Sequence, residues 1–306
     1  MRILVYGVGG VGAFFGALLA RAGQDVHFVA RGAQLDALRS RGLRIASTLI
    51  GDVEVPHVSV YPNAAGSGIA DLVLVCVKTH QTESILDDLA AAVGEQTVLI
   101  ALQNGVEADE QLARRFGRNR VVVAAVYVGA TVDEPGVVRH QAPARISIGA
   151  RDGFDERRLP AVLDVLAATG QQVQVSPDIQ RERWRKLMWN ASFNTVSAVT
   201  MRTPAELLAL SETRALIVRL MSEVVDVARA QGVNLQRSDI DEHIDWTERA
   251  SGMRTSTMVD RERGRSMEAD ALIGVIVRKG SEAGVPAPAS AALYALMRAI
   301  DDRASG

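Results

Sequence analysis

At 306 residues the chain is long enough for two domains of ordinary size. Hydrophobic residues make up 48% and charged residues 23%, a globular composition and not a disordered one. The net charge of −2, with basic residues scattered, argues against nucleic acid or an anionic membrane as partner, and no stretch supplies the roughly 20 apolar residues of a spanning helix.

The opening residues "RILVYG" form a short apolar run typical of a strand buried on both faces. Gly7, Gly9 and Gly12 follow as G-x-G-x-x-G, then "AFFGALLARAG" with helical periodicity, then a second strand, "DVHFVAR". Arg2 before an apolar run, with Ala20-Arg21-Ala22 behind it, also has the look of an export signal. A signal peptide has no reason to continue into a matching strand–helix–strand unit, so the dinucleotide reading is preferred. The first glycine permits the tight turn, the second lets backbone approach a pyrophosphate, and the third allows close helix–strand packing. The loop from Gly7 through Val8, Gly9, Gly10 and Val11 to Gly12 is therefore the predicted phosphate cradle. At the end of the second strand, where an acid holds the ribose of NAD, the chain has Arg31. A guanidinium suits a 2′-phosphate, so NADP is the expected cofactor.

Strand and helix patterns keep alternating: "ADLVLVCVK", "ESILDDLAAAVG", "TVLIALQNG", "VEADEQLARRFG", and then two strands joined at Glu134-Pro135-Gly136. One more helix, from Asp155 to Gly170, and a short strand, "QVQVS", complete a Rossmann-type doubly wound α/β domain over residues 1–177. Arg31, Lys78 and Gln103-Asn104-Gly105 all fall at strand ends, where such sheets bind ligands. Residues 178–306 read as an all-α second domain, with helices predicted over Ile179–Val199, Pro204–Gln231, Ser238–Asp260, Met267–Ala283 and Pro288–Arg303. A cleft between domains is a favoured place for a small-molecule site.

In the first of those helices Lys186, Asn190 and Asn194 recur at every fourth residue, a polar ridge among tryptophan and aliphatic neighbours. If buried, those groups must find hydrogen-bond partners; the alternative is a solvated stripe. In "TSTMVDRERGRSMEADALIG", Ser256 and Asp260 stand one turn apart, and Ser266 can cap a helix carrying Glu268 and Asp270. Residue chemistry does not choose between those two acids. The single cysteine, Cys76, excludes a disulfide framework, and five scattered histidines offer no metal-ligand spacing, so no metal and a reducing, cytoplasmic setting are expected.

Taken together, "GVGGVG", "CVKTHQT", "LQNGV", "RWRKLMWNASFN" and "STMVDRERGRSMEADALIG" resemble the ketopantoate reductase (2-dehydropantoate 2-reductase) family over the whole chain. The resemblance implies NADPH-dependent reduction of a small 2-keto acid, in the route to pantothenate and coenzyme A. It matches Lys186 to the catalytic general acid and Glu268 to the essential glutamate that orients substrate and cofactor. Asn104, Asn190, Asn194 and Ser256 match substrate contacts, and Lys78, Arg31, Asn104, Glu268 and, more weakly, Ala130 match cofactor positions. The chain departs from the family pattern in three places. Thr195-Val196-Ser197 replaces Pro-Leu-Thr, Met267-Glu268-Ala269-Asp270 replaces Thr-Glu-Ile-Asp, and Met253 stands where an asparagine is common. These changes keep open a different 2-keto acid or an opine-type substrate, and a non-catalytic NADPH sensor is the alternative of another class. The helical surfaces are compatible with a homodimer.

Overall fold

In the first strand, β1 (Arg2–Tyr6), Ile3 and Val5 enter one apolar cluster while Leu4 and Tyr6 enter another. This alternation is that of a strand covered on both faces. The computed structural model describes residues 1–250 and 252–304. Beyond β1 it contains β2 (Asp25–Val29), β3 (Leu43–Ser47), β4 (Val53–Val55), β5 (Ser59–Tyr61), β6 (Ala70–Val75), β7 (Val93–Ala101), β8 (Val121–Glu134), β9 (Val137–Gly149) and β10 (Gln172–Val175). They form one sheet in the order β4-β3-β9-β8-β7-β6-β1-β2-β5, with β10 beside β9.

The run β5-β2-β1-β6-β7-β8 is parallel throughout, which is the Rossmann-like core. Beyond it the sheet is mixed: β8 and β9 are antiparallel, turning at Gly136 with φ of 84°, and β3 and β4 are antiparallel as well. Strands β3 to β5 have no counterpart in the sequence reading. Their short segments carry Arg44, Glu54 and Ser59 on exposed positions, so they lack the continuous apolar run of a doubly covered strand.

Helices α1 (Gly10–Arg21), α2 (Gly32–Arg41) and α5 (Leu159–Ala167) contribute to one apolar cluster, and α3 (Thr82–Leu89) and α4 (Ala108–Phe116) to the other. The sheet is thus covered from both sides. The N-terminal residues weighed as an export signal are a central strand and a buried helix of this layer.

The chain divides into two compact units, Met1–Gln103 with Glu107–Ile179, and Asn104–Val106 with Gln180–Gly306. The second is mostly helical: α6 (Ile179–Trp189), α7 (Thr195–Thr200), α8 (Pro204–Ala209), α9 (Ser211–Ala230), α10 (Ser238–Arg249), α11 (Ser256–Glu262), α12 (Val275–Ala283) and α13 (Pro288–Ala304). Its axis is α9, where Ile217, Leu220, Met221, Val224, Val225, Val227 and Ala228 are buried at helical spacing.

Two of the predicted long helices are broken. Pro204–Gln231 is two helices parted at Leu210, whose extended backbone ends α8 and precedes α9; Thr203 and Glu206 cap the start of α8 reciprocally. Ser238–Asp260 is also two helices, with a fresh start at α11, whose N-cap Thr255 accepts from Met258 N–H. The other departure is subtler: π turns occupy Asn190–Asn194, between α6 and α7, and Asp270–Gly274, leading into α12. The two π turns pack against each other. Among the described residues no helix is long and apolar enough to cross a membrane.

Candidate active site

The glycine turn uses each glycine for a separate steric reason. Gly7 has φ of 97°, and a Cβ there would lie 2.7 Å from Val77 N. A Cβ on Gly12 would lie 2.1 Å from Gly7 O, so α1 can start this close to β1 only without a side chain. A Cβ on Gly9 would meet nothing within 4 Å. Gly9 is also the N-cap of α1 and offers no capping side chain, so the first-turn N–H groups are left to face that open space. This is the geometry of a pyrophosphate cradle, and the residues present fit a dinucleotide. Gly10 serves a different end: its Cβ would fall 2.1 Å from the Ala130 carbonyl oxygen. Ala130 therefore lies against the cradle through its backbone, and Val8 is buried with its carbonyl accepting from Gln34 Nε2 at 2.9 Å.

Arg31 is the exposed N-cap of α2, and its Nη2 donates to the Tyr6 hydroxyl at 3.4 Å. Lys78 is half-buried at the start of a short 3-10 turn, Thr79–Gln81, and its carbonyl accepts from Gln81 N–H. Gln103 pins that segment, donating from Nε2 to Val77 O at 2.9 Å and to Thr82 Oγ1 at 2.8 Å.

In the helical unit Lys186 Nζ donates to Asn104 Oδ1 at 3.0 Å. Burial lowers the lysine pKa to about 8; the Glu268 carboxylate opposes that fall and the Arg183 guanidinium adds to it. Asn104, read as a strand-end residue of the first domain, thus belongs by its contacts to the second unit. Its two successors follow it: Gly105 O accepts from Arg183 Nη2 at 3.4 Å, and Val106 packs on the helical core. Gly105 has φ of 88°, and a Cβ there would meet Ala271 O at 3.1 Å.

The polar ridge is buried and not a solvated stripe: Asn190 is 7% exposed and Asn194 3%. A π turn fits about four residues and a fraction into each turn, so residues four apart stay aligned across it, and such turns recur at functional sites. Asn194 Oδ1 and Ser197 Oγ are buried with no hydrogen-bond partner among the described residues, which marks a polar spot suited to a ligand group.

Glu268, not Asp270, is the acid that acts on Lys186. It is buried and adopts φ of 56°, a left-handed conformation costing on the order of 1 kcal/mol or more for a residue with a Cβ. Its carbonyl accepts from Ala271 and Leu272 N–H, and Asp301 Oδ1 holds the preceding Met267 N–H at 3.1 Å. Asp270 faces outward instead, bonded to Tyr294 and Arg298. Ser256 is exposed at the first position of α11, a helix that packs against α7. Sequence reasoning did not identify Arg183, which is 6% exposed, nor Tyr6 and Asp88. Their only sequence signal is a polar residue inside an apolar periodicity. Among the described residues no group of three His, Cys, Asp or Glu side chains could hold a metal ion.

Comparison with known proteins matches residues 3–153 to the ketopantoate reductase PanE/ApbA family and residues 178–301 to its C-terminal counterpart. The chain is 32% identical over 321 aligned positions to a 2-dehydropantoate 2-reductase of Mesorhizobium japonicum, covering 98% of each chain. The crystal structure of a 2-dehydropantoate 2-reductase from Geobacter metallireducens is similar with a TM-score of 0.92 at 32% identity, covering 98% of this chain and 99% of that one. A D-mandelate dehydrogenase solved with NADH and anilino(oxo)acetate has a TM-score of 0.91 at 22% identity over the full length of both chains, a likeness of fold.

Proposed function

The chain belongs to the ketopantoate reductase family of oxidoreductases, and from that premise we propose that it reduces 2-dehydropantoate (ketopantoate) to pantoate with NADPH, in pantothenate and coenzyme A biosynthesis. The observation that carries this reading is the half-buried Lys186, its ammonium held by Asn104 and balanced by Glu268. An ammonium directed at the carbonyl oxygen stabilises a developing alkoxide and can give it a proton.

Residues Gly7 to Gly12 hold the cofactor pyrophosphate, Arg31 takes the 2′-phosphate, and Lys78 lines the same rim. NADPH, when bound, supplies a hydride to the substrate carbonyl carbon. Lys186 stabilises the charge that builds on the carbonyl oxygen and then gives it a proton. Asn104 aims the ammonium, and Glu268 keeps it protonated near neutral pH. Asn190 and Asn194 receive the polar groups of the substrate chain, Asn194 through its unpartnered Oδ1. The Ser256 hydroxyl, at the first turn of α11, is suited to the substrate carboxylate.

A second reading keeps this chemistry and changes the substrate to another 2-keto acid. It is favoured by Ser197, whose buried unpartnered hydroxyl stands in the segment that departs from the family pattern. The deciding experiment follows NADPH oxidation with ketopantoate beside a panel of 2-keto acids. Turnover highest on ketopantoate supports the first reading. Turnover on another keto acid moves the substrate. NADPH binding without oxidation of any of them leaves a sensor.

A further inference from the structure

We propose that Tyr6, anchored by Asp88, is a positioning residue that holds the Arg31 guanidinium in place for the 2′-phosphate of the cofactor. The inference rests on the NADPH reading above and concerns residues that reading does not use.

Tyr6 ends β1 and is 2% exposed, in the apolar cluster shared with α3. The phenol has one proton, and it goes to Asp88 Oδ2 at 2.5 Å. The Asp88 carboxylate is fixed from a second direction by Ala64 N–H, at 3.3 and 3.2 Å to its two oxygens. With the proton committed to Asp88, the phenolic oxygen can only accept from other partners, and Arg31 Nη2 is the donor that reaches it. Burial, together with the hydrogen bond to Asp88, keeps this phenol protonated well beyond its ordinary range. The arrangement therefore stays a neutral hydroxyl at any working pH.

Arg31 needs such a tether. It is exposed at a strand-to-helix junction, and a free arginine there would lose considerable rotamer entropy on gripping a phosphate. Holding it by one Nη2 hydrogen leaves the remaining donors of the fork for phosphate oxygens. The bridge also spares the charge. Arg31 meets a neutral hydroxyl, and the carboxylate behind it supplies orientation without forming a direct ion pair with the guanidinium.

The test is calorimetric binding of 2′,5′-ADP and 5′-AMP to the full chain, since the two ligands differ only by the 2′-phosphate. The wild type is expected to prefer 2′,5′-ADP, and Arg31→Ala to lose that preference. Tyr6→Phe, which keeps the ring, should cut the preference about three- to tenfold, as expected for one lost hydrogen bond, with 5′-AMP affinity unchanged within about twofold. Asp88→Ala should match Tyr6→Phe, and Asp88→Asn, which retains an acceptor for the hydroxyl, should restore most of the preference. A Tyr6→Phe variant that binds both ligands equally less well, or that keeps the full preference, overturns the proposal. Absence of any preference in the wild type overturns the NADPH reading itself, an outcome distinct from loss of the tether alone.

Discussion

Lys186 Nζ and Asn104 Oδ1 meet at 3.0 Å although 82 positions separate them in the chain. The bond fixes the direction of an ammonium on a flexible four-carbon stem. It also draws the Asn104–Val106 segment into the helical unit although its flanking residues belong to the α/β one. Loss of the lysine should therefore differ in kind from loss of the asparagine. Lys186→Ala is expected to lower kcat by about 10²-fold or more, the usual loss for a general acid. Asn104→Ala keeps the acid but not its aim and should cost roughly tenfold. Steady-state kinetics of NADPH oxidation check both, and an asparagine variant slower than the lysine variant contradicts the roles assigned.

The pH dependence follows from the same lysine. Its pKa is lowered to about 8, so the proton donor is present below that pH and lost above it. The rate of keto-acid reduction should be level near neutrality and fall about tenfold per pH unit on the alkaline side. Glu268 raises this pKa, so Glu268→Gln should move the break to lower pH in addition to slowing the reaction. A pH–rate profile in which the break moves upward would refute the coupling.

Stability should respond in the opposite sense to activity. The lysine pKa falls from an ordinary 10.5 to about 8 on folding, so the folded state disfavours the charge. That penalty is present in full below about pH 8 and is relieved as pH rises toward 10.5. Lys186→Met removes a burial cost on the order of 3 kcal/mol, so it should raise the melting temperature at pH 7 while abolishing turnover. The gain should shrink when melting is measured near pH 10.

The glycine turn predicts two different failures from the same kind of substitution. Gly9 has ordinary backbone angles and open space beyond it, so Gly9→Ala should fold with a near-normal melting temperature and bind NADPH weakly. Gly10→Ala drives a methyl into the Ala130 carbonyl and should lower the melting temperature, with cofactor affinity falling as a consequence. Thermal melts with and without NADPH separate the two.

In the helical unit, Glu223 is a buried carboxylate on α9 that caps α13, accepting from Ala289 N–H at 3.0 Å, Ser290 N–H at 2.8 Å and Ser290 Oγ at 2.8 Å. Glu223→Ala strands those donors and should destabilise by about 1–3 kcal/mol. Glu223→Gln retains one acceptor and should lose less. Denaturant unfolding gives the two values, and an alanine variant as stable as wild type would show that the cap contributes nothing.

Much of the architecture is written in short windows. The strand before the glycines, the periodic helix after them and the repetition of that unit report the parallel core, because a buried strand or an amphipathic helix is recognised from neighbours within a few residues. The spacing of Lys186, Asn190 and Asn194 likewise puts three polar groups on one face of a helix. Strands β3 to β5 escaped because alternating, charged segments of three to five residues look like loops.

What the windows could not carry is any relationship between distant segments. Nothing near Asn104 says that it will bond to Lys186, and nothing near Tyr6 says that Asp88 will accept its hydrogen bond. The choice of Glu268 over Asp270 goes with burial: Glu268 is buried with a left-handed backbone angle, while Asp270 is exposed. Burial is collective in the same way. It lowers the Lys186 pKa and leaves Asn194 Oδ1 without a partner, and it exists only once the helices have closed around those atoms. Local pattern therefore specified the elements and the residue types at the site, and tertiary packing decided which atoms meet and in what state of charge.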